Sequence, residues 1–381
     1  VRTEIVRTRS RFEQLREEWT ALTEAMDGAE IFDTWEWHEA SLQALHEPEP
    51  ALFIVVVYEA ERCVAIAPLA LVERKIGGVK ARVLRPINAD SAACHAFCLD
   101  RGRNHYALLK RIVAELDDRS DEWDYLELTG VSSKSSAMTL ARNLLGVTFA
   151  SFAEEADVTT YVRSGADDFE AKLSAKEMRD IERRERKLLR ELDARIVLDR
   201  PYSERLWRRL LELHRRKWAE SEVTAGRYGR FLERLLPVLD AKRQVSFSYV
   251  EIGGRIEAIV LCLRMNGKMY GEITNYSPEY AKWGIGLVLL KNVLARCREI
   301  GVGEFDFKQG AHPYKFYWTD GVRRNFNVYA CSNNGKRTYL SLYTWLKLAK
   351  RSFAQTVGRR GDKHAANGDS IGRARAQTLG S

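Results

Sequence analysis

The sequence predicts an α/β (α+β) protein made of two copies of one unit, each a mixed, mostly antiparallel sheet flanked by helices. Three observations predict it. The chain has 381 residues, more than one ordinary core accommodates, which favours two domains. Period-2 apolar alternation and period-3.6 helical patterns recur in two separate series along it. The two series also share local patterns. Arg62-x-x-Ala65-Ile66 and Arg255-x-x-Ala258-Ile259 each open the second arm of a hairpin, at an offset of 193 residues. Leu126-Glu127-Leu128 and Phe305-Asp306-Phe307 each follow a helix and precede a glycine (Gly130, Gly310), at an offset of 179 residues. Similar offsets point to an internal repeat.

In the first series, 11–26 and 35–46 read as helices. Leu52–Glu59, Cys63–Glu73 and Arg82–Ile87 read as strands, then 105–117 as a helix and Asp124–Leu128 as a strand. In the second, Gln244–Glu251, Ile256–Met265 and Lys268–Thr274 read as strands, 285–300 as a helix and Glu304–Lys308 as a strand. Between them lies a highly charged helix. From Lys172 to Glu191 it carries eight Lys or Arg and five Asp or Glu. Leu173, Ile181, Leu188 and Leu192 form a narrow apolar stripe on it. Asp180–Arg184 and Glu182–Arg186 are acid-first i,i+4 pairs. Either these pairs hold a solvated helix, or Lys176, Arg179, Arg183 and Arg186 reach a phosphate-bearing ligand. Residues 203–240 read as two more helices, including His214-Arg-Arg-Lys-Trp218. The expected organisation is 1–163, a connecting basic helix 164–200, a second unit 201–353, and a Gly-rich basic tail 354–381 without order.

Composition narrows the function. Hydrophobic residues make up 45% and charged residues 30%, as in globular domains, and no apolar run approaches a membrane span. The first ten residues lack an apolar h-region, so a cytoplasmic location is expected. The formal net charge of +8 suits an anionic partner such as a nucleotide cofactor, RNA or an acidic polymer. Cys63, Cys262, Cys297 and Cys331 read as ordinary buried thiols. Cys94-His95-x-x-Cys98 offers at most three metal ligands with no second cluster, so no metal site is expected.

Phe305 to Trp318 is the most informative stretch. Phe305 and Phe307 alternate with Asp306 and Lys308 as in a half-buried strand, which stops at Gly310. His312, Pro313, Tyr314, Lys315 and Trp318 follow. Titratable and aromatic groups thus gather just past the carboxyl end of a strand, where α/β sheets bind ligands. Upstream, Ser277 to Leu294 follows a strand and opens a helix. Gly284 and Gly286 either let the backbone approach a ligand, with the helix N-terminus facing a pyrophosphate, or merely permit close packing.

Strand, glycine turn, helix, and strand with a polar cluster at its end resemble the GNAT acyltransferase superfamily. Within it the chain resembles the CelD-like acetyltransferases, associated with cellulose and exopolysaccharide synthesis and related to the Fem-type aminoacyl transferases. Four stretches carry the resemblance: I-F-D-T-W-E-W-H-E-A, L-S-A-K-E-M-R-D-I-E-R-R-E-R-K-L, H-R-R-K-W, and G-L-V-L-L-K through F-D-F-K-Q-G-A-H-P-Y-K-F-Y-W. They fall in order over roughly residues 10–330. The resemblance implies tandem GNAT-like domains and an acyl-CoA (acetyl-CoA) donor held by Lys282, Gly284, Ile285, Gly286 and Tyr314. Ala281 stands where the family's pyrophosphate motif has Arg or Gln. Lys315 takes the place of a Fem-type lysine that stabilises charge developing during acyl transfer.

A general base must take the acceptor's proton. His312, Asp306 and Glu272 are candidates, with His312 and Asp306 level. Trp37, Tyr58, Glu272, His214 and Lys308 are expected to contact the acceptor. Trp35 and Trp37 do not share a helix face, so only one of them does. His214 either lines this cleft or faces the core. The expected activity is N- or O-acyl transfer, without a metal, to an amine or hydroxyl of a small molecule, sugar or polysaccharide precursor. Two alternatives are a Fem-like transferase using aminoacyl-tRNA and a non-catalytic GNAT-like module that binds RNA or a polyanion.

Overall fold

A computed structural model describes residues 1–91, 97–133, 135–163, 173–217, 221–224, 226–310, 312–319 and 321–351. Two mixed sheets organise it. The first runs β1 (Arg2–Val6), β2 (Ala51–Glu59), β3 (Arg62–Ile76), β4 (Val79–Pro86), β6 (Tyr125–Ser132), β15 (Asn325–Cys331), β7 (Ala150–Glu155), with the short β5 (Cys98–Leu99) against β3. The second runs β9 (Arg195–Arg200), β10 (Val245–Ile252), β11 (Arg255–Met265), β12 (Lys268–Tyr276), β13 (Glu304–Gln309), β8 (Thr159–Arg163), β14 (Val322–Arg323).

Laid side by side, the two orders correspond strand for strand. β3 and β11, which open with Arg62 and Arg255, are third in their sheets, and β6 and β13 are fifth. β4 and β6 are parallel, as are β12 and β13. The repeated sequence patterns therefore mark equivalent places in a repeated topology.

The linear boundary expected near residue 163 does not divide the sheets. β8 pairs with β13 in the second sheet, and β15 pairs with β6 and β7 in the first. Each half thus lends a strand to the other and covers an edge that would otherwise expose unpaired amides and carbonyls. Asn325 ties the two crossings together. Its carbonyl accepts from the Ala156 amide at 2.8 Å. Its Nδ2 donates to Asp157 O at 2.7 Å and Thr159 Oγ1 at 2.9 Å.

Helices cover both sheets. The helix expected over 11–26 is two, α1 (Arg9–Gln14) and α2 (Arg16–Ala25), meeting at Leu15. α3 (Trp35–Leu45) starts at Thr34, whose hydroxyl caps the Trp37 amide. α4 (His105–Asp118) and α5 (Ser136–Thr148) pack on the first sheet around Trp123. The basic helix α6 (Ala175–Glu191) begins with a Ser174/Glu177 capping box. Its Leu173–Ile181–Leu188 stripe is buried on the second sheet. Both expected pairs, Asp180–Arg184 and Glu182–Arg186, form on its outer face. α7 (Glu204–Lys217), α8 (Arg227–Ala241) and α9 (Ile285–Glu299) complete the second unit. α10 (Pro313–Phe316) is one short turn, and a helix over 337–351, α11, returns to the first sheet. Trp218, Cys94, His95 and the 354–381 tail lie outside the described residues. The five described cysteines are buried free thiols.

Two expected acceptor contacts are core residues instead. Trp37 is fully buried where α3 meets α8, edge-on to Phe32 and Phe231. Its Nε1 donates to Ser91 Oγ at 2.9 Å. Tyr58 is buried among Phe12, Trp19 and Ile54, and its hydroxyl accepts from Arg11. The other tryptophan of the pair, Trp35, is also buried, stacked on Phe12. The reason is packing: α3 is sandwiched between elements of both halves, so neither of its tryptophan faces meets solvent.

Candidate functional site

The site begins where two strands part. β12 and β13 pair at Lys268↔Glu304, Met269↔Phe305 and Tyr270↔Asp306, and their ladder ends there. Both strands continue, to Tyr276 and Gln309. A cleft of about 1490 Å³ lies in front of the opening. One wall is Gly271–Asn275 and Asp306–Gln309 of the second sheet, with His312, Tyr314 and Lys315 beyond it. The other wall comes from the first sheet and includes Arg74, Glu127 and Glu154. The strand-exchange crossings, Asp157 to Thr159 and Asn325, form part of its lining.

β13 ends in a strained turn. Lys308 sits at φ 62° and Gly310 at φ 112°, both in the left-handed region. The Lys308 amide folds back to Asp306 Oδ1 at 2.6 Å. Oδ2 of Asp306 accepts from Arg323 at 2.7 Å, and Arg323 also pairs with Glu304. Burial pushes the Asp306 carboxyl up to about 6, against the lowering pull of Arg323. Asp306 is therefore held on both oxygens by a buried guanidinium and a backbone amide. Its ion pair is with Arg323, not with the neighbouring Lys308.

The Lys308 side chain turns to Glu272. Its Nζ lies 2.8 Å from both carboxylate oxygens and 3.1 Å from the Tyr228 hydroxyl. Tyr228 in turn donates to Glu272. Burial, then the Glu272 charge, pushes the Tyr228 hydroxyl well above its ordinary pKa. His214 lines the same cleft from α7. Its Nδ1 accepts from Asn275 Nδ2 and its Nε2 donates to Ser221 Oγ, each at 2.9 Å. Burial lowers its pKa, which favours the neutral ring, and an Asn275 amide donating to Nδ1 leaves the ring proton on Nε2.

Lys315 is 3% exposed and lines the cleft. Its Nζ donates to the carbonyls of Lys308 and Gln309, each at 3.0 Å. An ammonium has three donors, so two carbonyls leave one over. Burial lowers the Lys315 pKa to about 8, while the Asp306 charge pulls it back up. His312 and Tyr314 are exposed at the mouth, their rings parallel within 24° and 6.2 Å apart.

The glycine turn lies elsewhere. Lys282, Gly284, Ile285 and Gly286 do not line the cleft. Gly284 has φ 68° and caps α9 in the left-handed conformation. A Cβ on Gly286 would meet the Tyr276 ring at 3.0 Å, and one on Gly284 would meet Arg184 at 3.0 Å. Close packing against the Tyr276 ring accounts for Gly286, and the left-handed φ accounts for Gly284. The first-turn amides of α9 still point out of the helix. Arg184 donates to Lys282 O at 3.4 Å, and Lys187 lies over Trp283 at 4.8 Å, so α6 adds positive charge beside them.

Of the residues expected from sequence, Asp306, Lys308, His312, Tyr314, Lys315, Glu272 and His214 converge on one cleft. Sequence reasoning missed Arg323, Tyr228, Asn275 and Asn325. No local pattern marks them, because each acts through a partner far away in sequence. Among the described residues no group of three or more His, Cys, Asp or Glu is arranged to hold a metal ion.

Residues 175–316 match an acetyltransferase (GNAT) domain. No curated protein matches the chain in sequence. Among solved structures, FemX superposes with a TM-score of 0.57 over 89% of this chain and 100% of its own, at 9% identity. The L-PGS structure from Bacillus licheniformis gives 0.52 over 86% and 96%, at 11% identity. A protein of unknown function from Bacteroides thetaiotaomicron gives 0.53 over 86% and 100%, at 10% identity. The chain has the tandem GNAT/Fem-type fold, with the acetyltransferase (GNAT) domain in its second unit.

Proposed function

We propose that this protein is a CelD-like acyltransferase. It moves an acyl group from acyl-CoA to an amine or hydroxyl of a small-molecule or saccharide acceptor in the cleft between the sheets. One observation carries the reading: a buried lysine, Lys315, lines the cleft at the point where β12 and β13 part. An acyl thioester threaded into that opening would lie within its reach. The acceptor attacks the thioester carbonyl, a C–N or C–O bond forms, and the carbonyl electrons move to oxygen. Lys315 as ammonium stabilises that oxyanion. Collapse breaks the C–S bond and releases CoA thiolate.

Asp306 positions Arg323 and the Lys308 turn, because both its oxygens are already engaged. Glu272 is likewise bound to Lys308 and Tyr228. His312, exposed at the mouth, is the candidate best placed to take the acceptor's proton. The CoA pyrophosphate would meet the α9 N-terminus, with Arg184 of α6 supplying the cation that Ala281 does not.

A second reading is aminoacyl-tRNA-dependent transfer. It is favoured by cations near the α9 turn: Arg184 and Lys187 of α6, and Arg216 and Lys217, which reach Ser277 and Tyr276. Thermal shift with acetyl-CoA, free CoA and aminoacyl-tRNA at two salt concentrations tests both. Stabilisation by acetyl-CoA supports the first reading, and a shift with tRNA alone overturns it. Ligand binding without turnover, unchanged in Lys315→Met, leaves the non-catalytic module.

A further inference from the structure

The last described helix shows two unlike faces. Leu340 and Thr344 of α11 are buried against β4, β6 and β15, with Ala81, Val83, Tyr125 and Cys331. The Thr344 hydroxyl meets the Tyr125 hydroxyl at 3.1 Å, and Tyr339 donates to Gly77 O at 2.6 Å. The helix is therefore firmly seated. Its other side carries Leu342 (56% exposed), Trp345 (56%) and Leu346 (52%), with Tyr339 (46%) at the edge beside Gly77. Helical spacing puts Leu342, Trp345 and Leu346 on one stripe. No other described element gathers so many large exposed apolar side chains.

Charge says what covers this stripe. Arg337, Lys347, Lys350 and Arg351 lie along the helix, and exposed Lys75 and Lys80 flank the β3–β4 turn it packs on. From Gly321 to Gly361 the sequence contains no Asp or Glu. Asp124 and Glu154, the carboxylates facing the helix from the sheet, are already paired with Lys336 and Arg351. A second copy docked by two-fold symmetry would set this basic face against itself. The chain's own residues 352–381 are also net basic, with Arg359, Arg360, Lys363, Arg373 and Arg375 against Asp362 and Asp369. An apolar stripe that includes a Trp, with exposed Lys350 on the helix beside it and Lys75 and Lys80 at the neighbouring turn, matches a helix lying in the interface of an anionic bilayer. No helix among the described residues is long and apolar enough to cross a membrane.

We propose that α11 is an interfacial anchor that seats this protein on an anionic lipid surface. The proposal does not depend on the acyl-transfer chemistry.

Co-flotation of the full chain with phosphatidylcholine vesicles, with and without about one third phosphatidylglycerol, tests it. Binding is expected only to the anionic vesicles and is expected to weaken as salt rises. Trp345→Ser with Leu346→Ser, and separately Lys347→Glu with Lys350→Glu, should each weaken it by about tenfold or more. Val147→Ser, an exposed apolar residue elsewhere, should leave it unchanged. Melting temperatures check that each variant is folded, and the charge-reversal pair stands if the apolar pair is not. Absence of flotation, or flotation indifferent to both pairs, overturns the anchor. So does a dimer in light scattering that both pairs dissolve while no vesicle binds, or equal binding to tRNA that survives the apolar pair.

Discussion

β6 and β13 hold the same place in two sheets of the same order, yet only one carries a desolvated charge cluster. On β6, Glu127 pairs with Arg74 at 3.0 Å, and the Arg74 side chain is 44% exposed. On β13, Asp306 pairs with Arg323, and both side chains are 7% exposed. Lys315 is buried beside that pair, and Lys308 and Glu272 close the next layer. Both strands face the same cleft. The difference lies in water. A solvated pair is screened and weakly coupled, whereas a buried one has strong mutual fields and shifted pKa values. The repeated topology gives two equivalent strands, and burial sets the charges of one of them apart.

Breaking each ion pair tests that contrast most directly. Arg323→Met takes the guanidinium from buried Asp306 and should cost about 3–5 kcal/mol in chemical denaturation. Arg74→Met should cost at most about 1 kcal/mol. Equal losses would mean that the two strands are energetically alike. Next comes activity. Lys315→Met should lower kcat by about 100- to 1000-fold. Glu73→Gln, exposed on β3 outside the cleft lining, should leave it within about threefold.

The Lys315 pKa sharpens the role. Its folded value is near 8, below the ordinary 10.5. Between those values the unfolded chain binds more protons, so stability should rise with pH across that window. Lys315→Met should flatten the rise. If the ammonium is the working form, kcat should fall as pH passes about 8; a rise there would make Lys315 a base instead. The smallest effect concerns the turn before α9. Arg184→Ala should raise the KM for acyl-CoA about tenfold with kcat unchanged. A fall in kcat with KM constant would remove Arg184 from donor binding.

Much of the site was legible because its residues are neighbours in sequence. Phe305 to Lys315 spans one strand end and its turn, and local alternation with Gly310 placed it correctly. Glu272 and His214 also reached the cleft as expected. Trp37 and Tyr58 did not, because an aromatic on a helix or strand reads the same whether it faces a cleft or a second layer of protein. Arg323 follows a turn and resembles any surface arginine until β14 pairs with β8 and its side chain reaches Asp306 on β13. β8 and β15 carried no signal that they would change sheets, since strand partners are chosen by distant edges.

The sequence by itself determined the two series of elements, the basic helix with its i,i+4 pairs, and the polar turn after β13. Those properties depend on side-chain periodicity and on neighbours within a few residues. Tertiary structure alone decided the strand exchange pinned by Asn325, the burial of Lys315 and Asp306, and the closing of Lys308 onto Glu272 and Tyr228. Those depend on excluding water, and water is excluded only when segments far apart in sequence pack together.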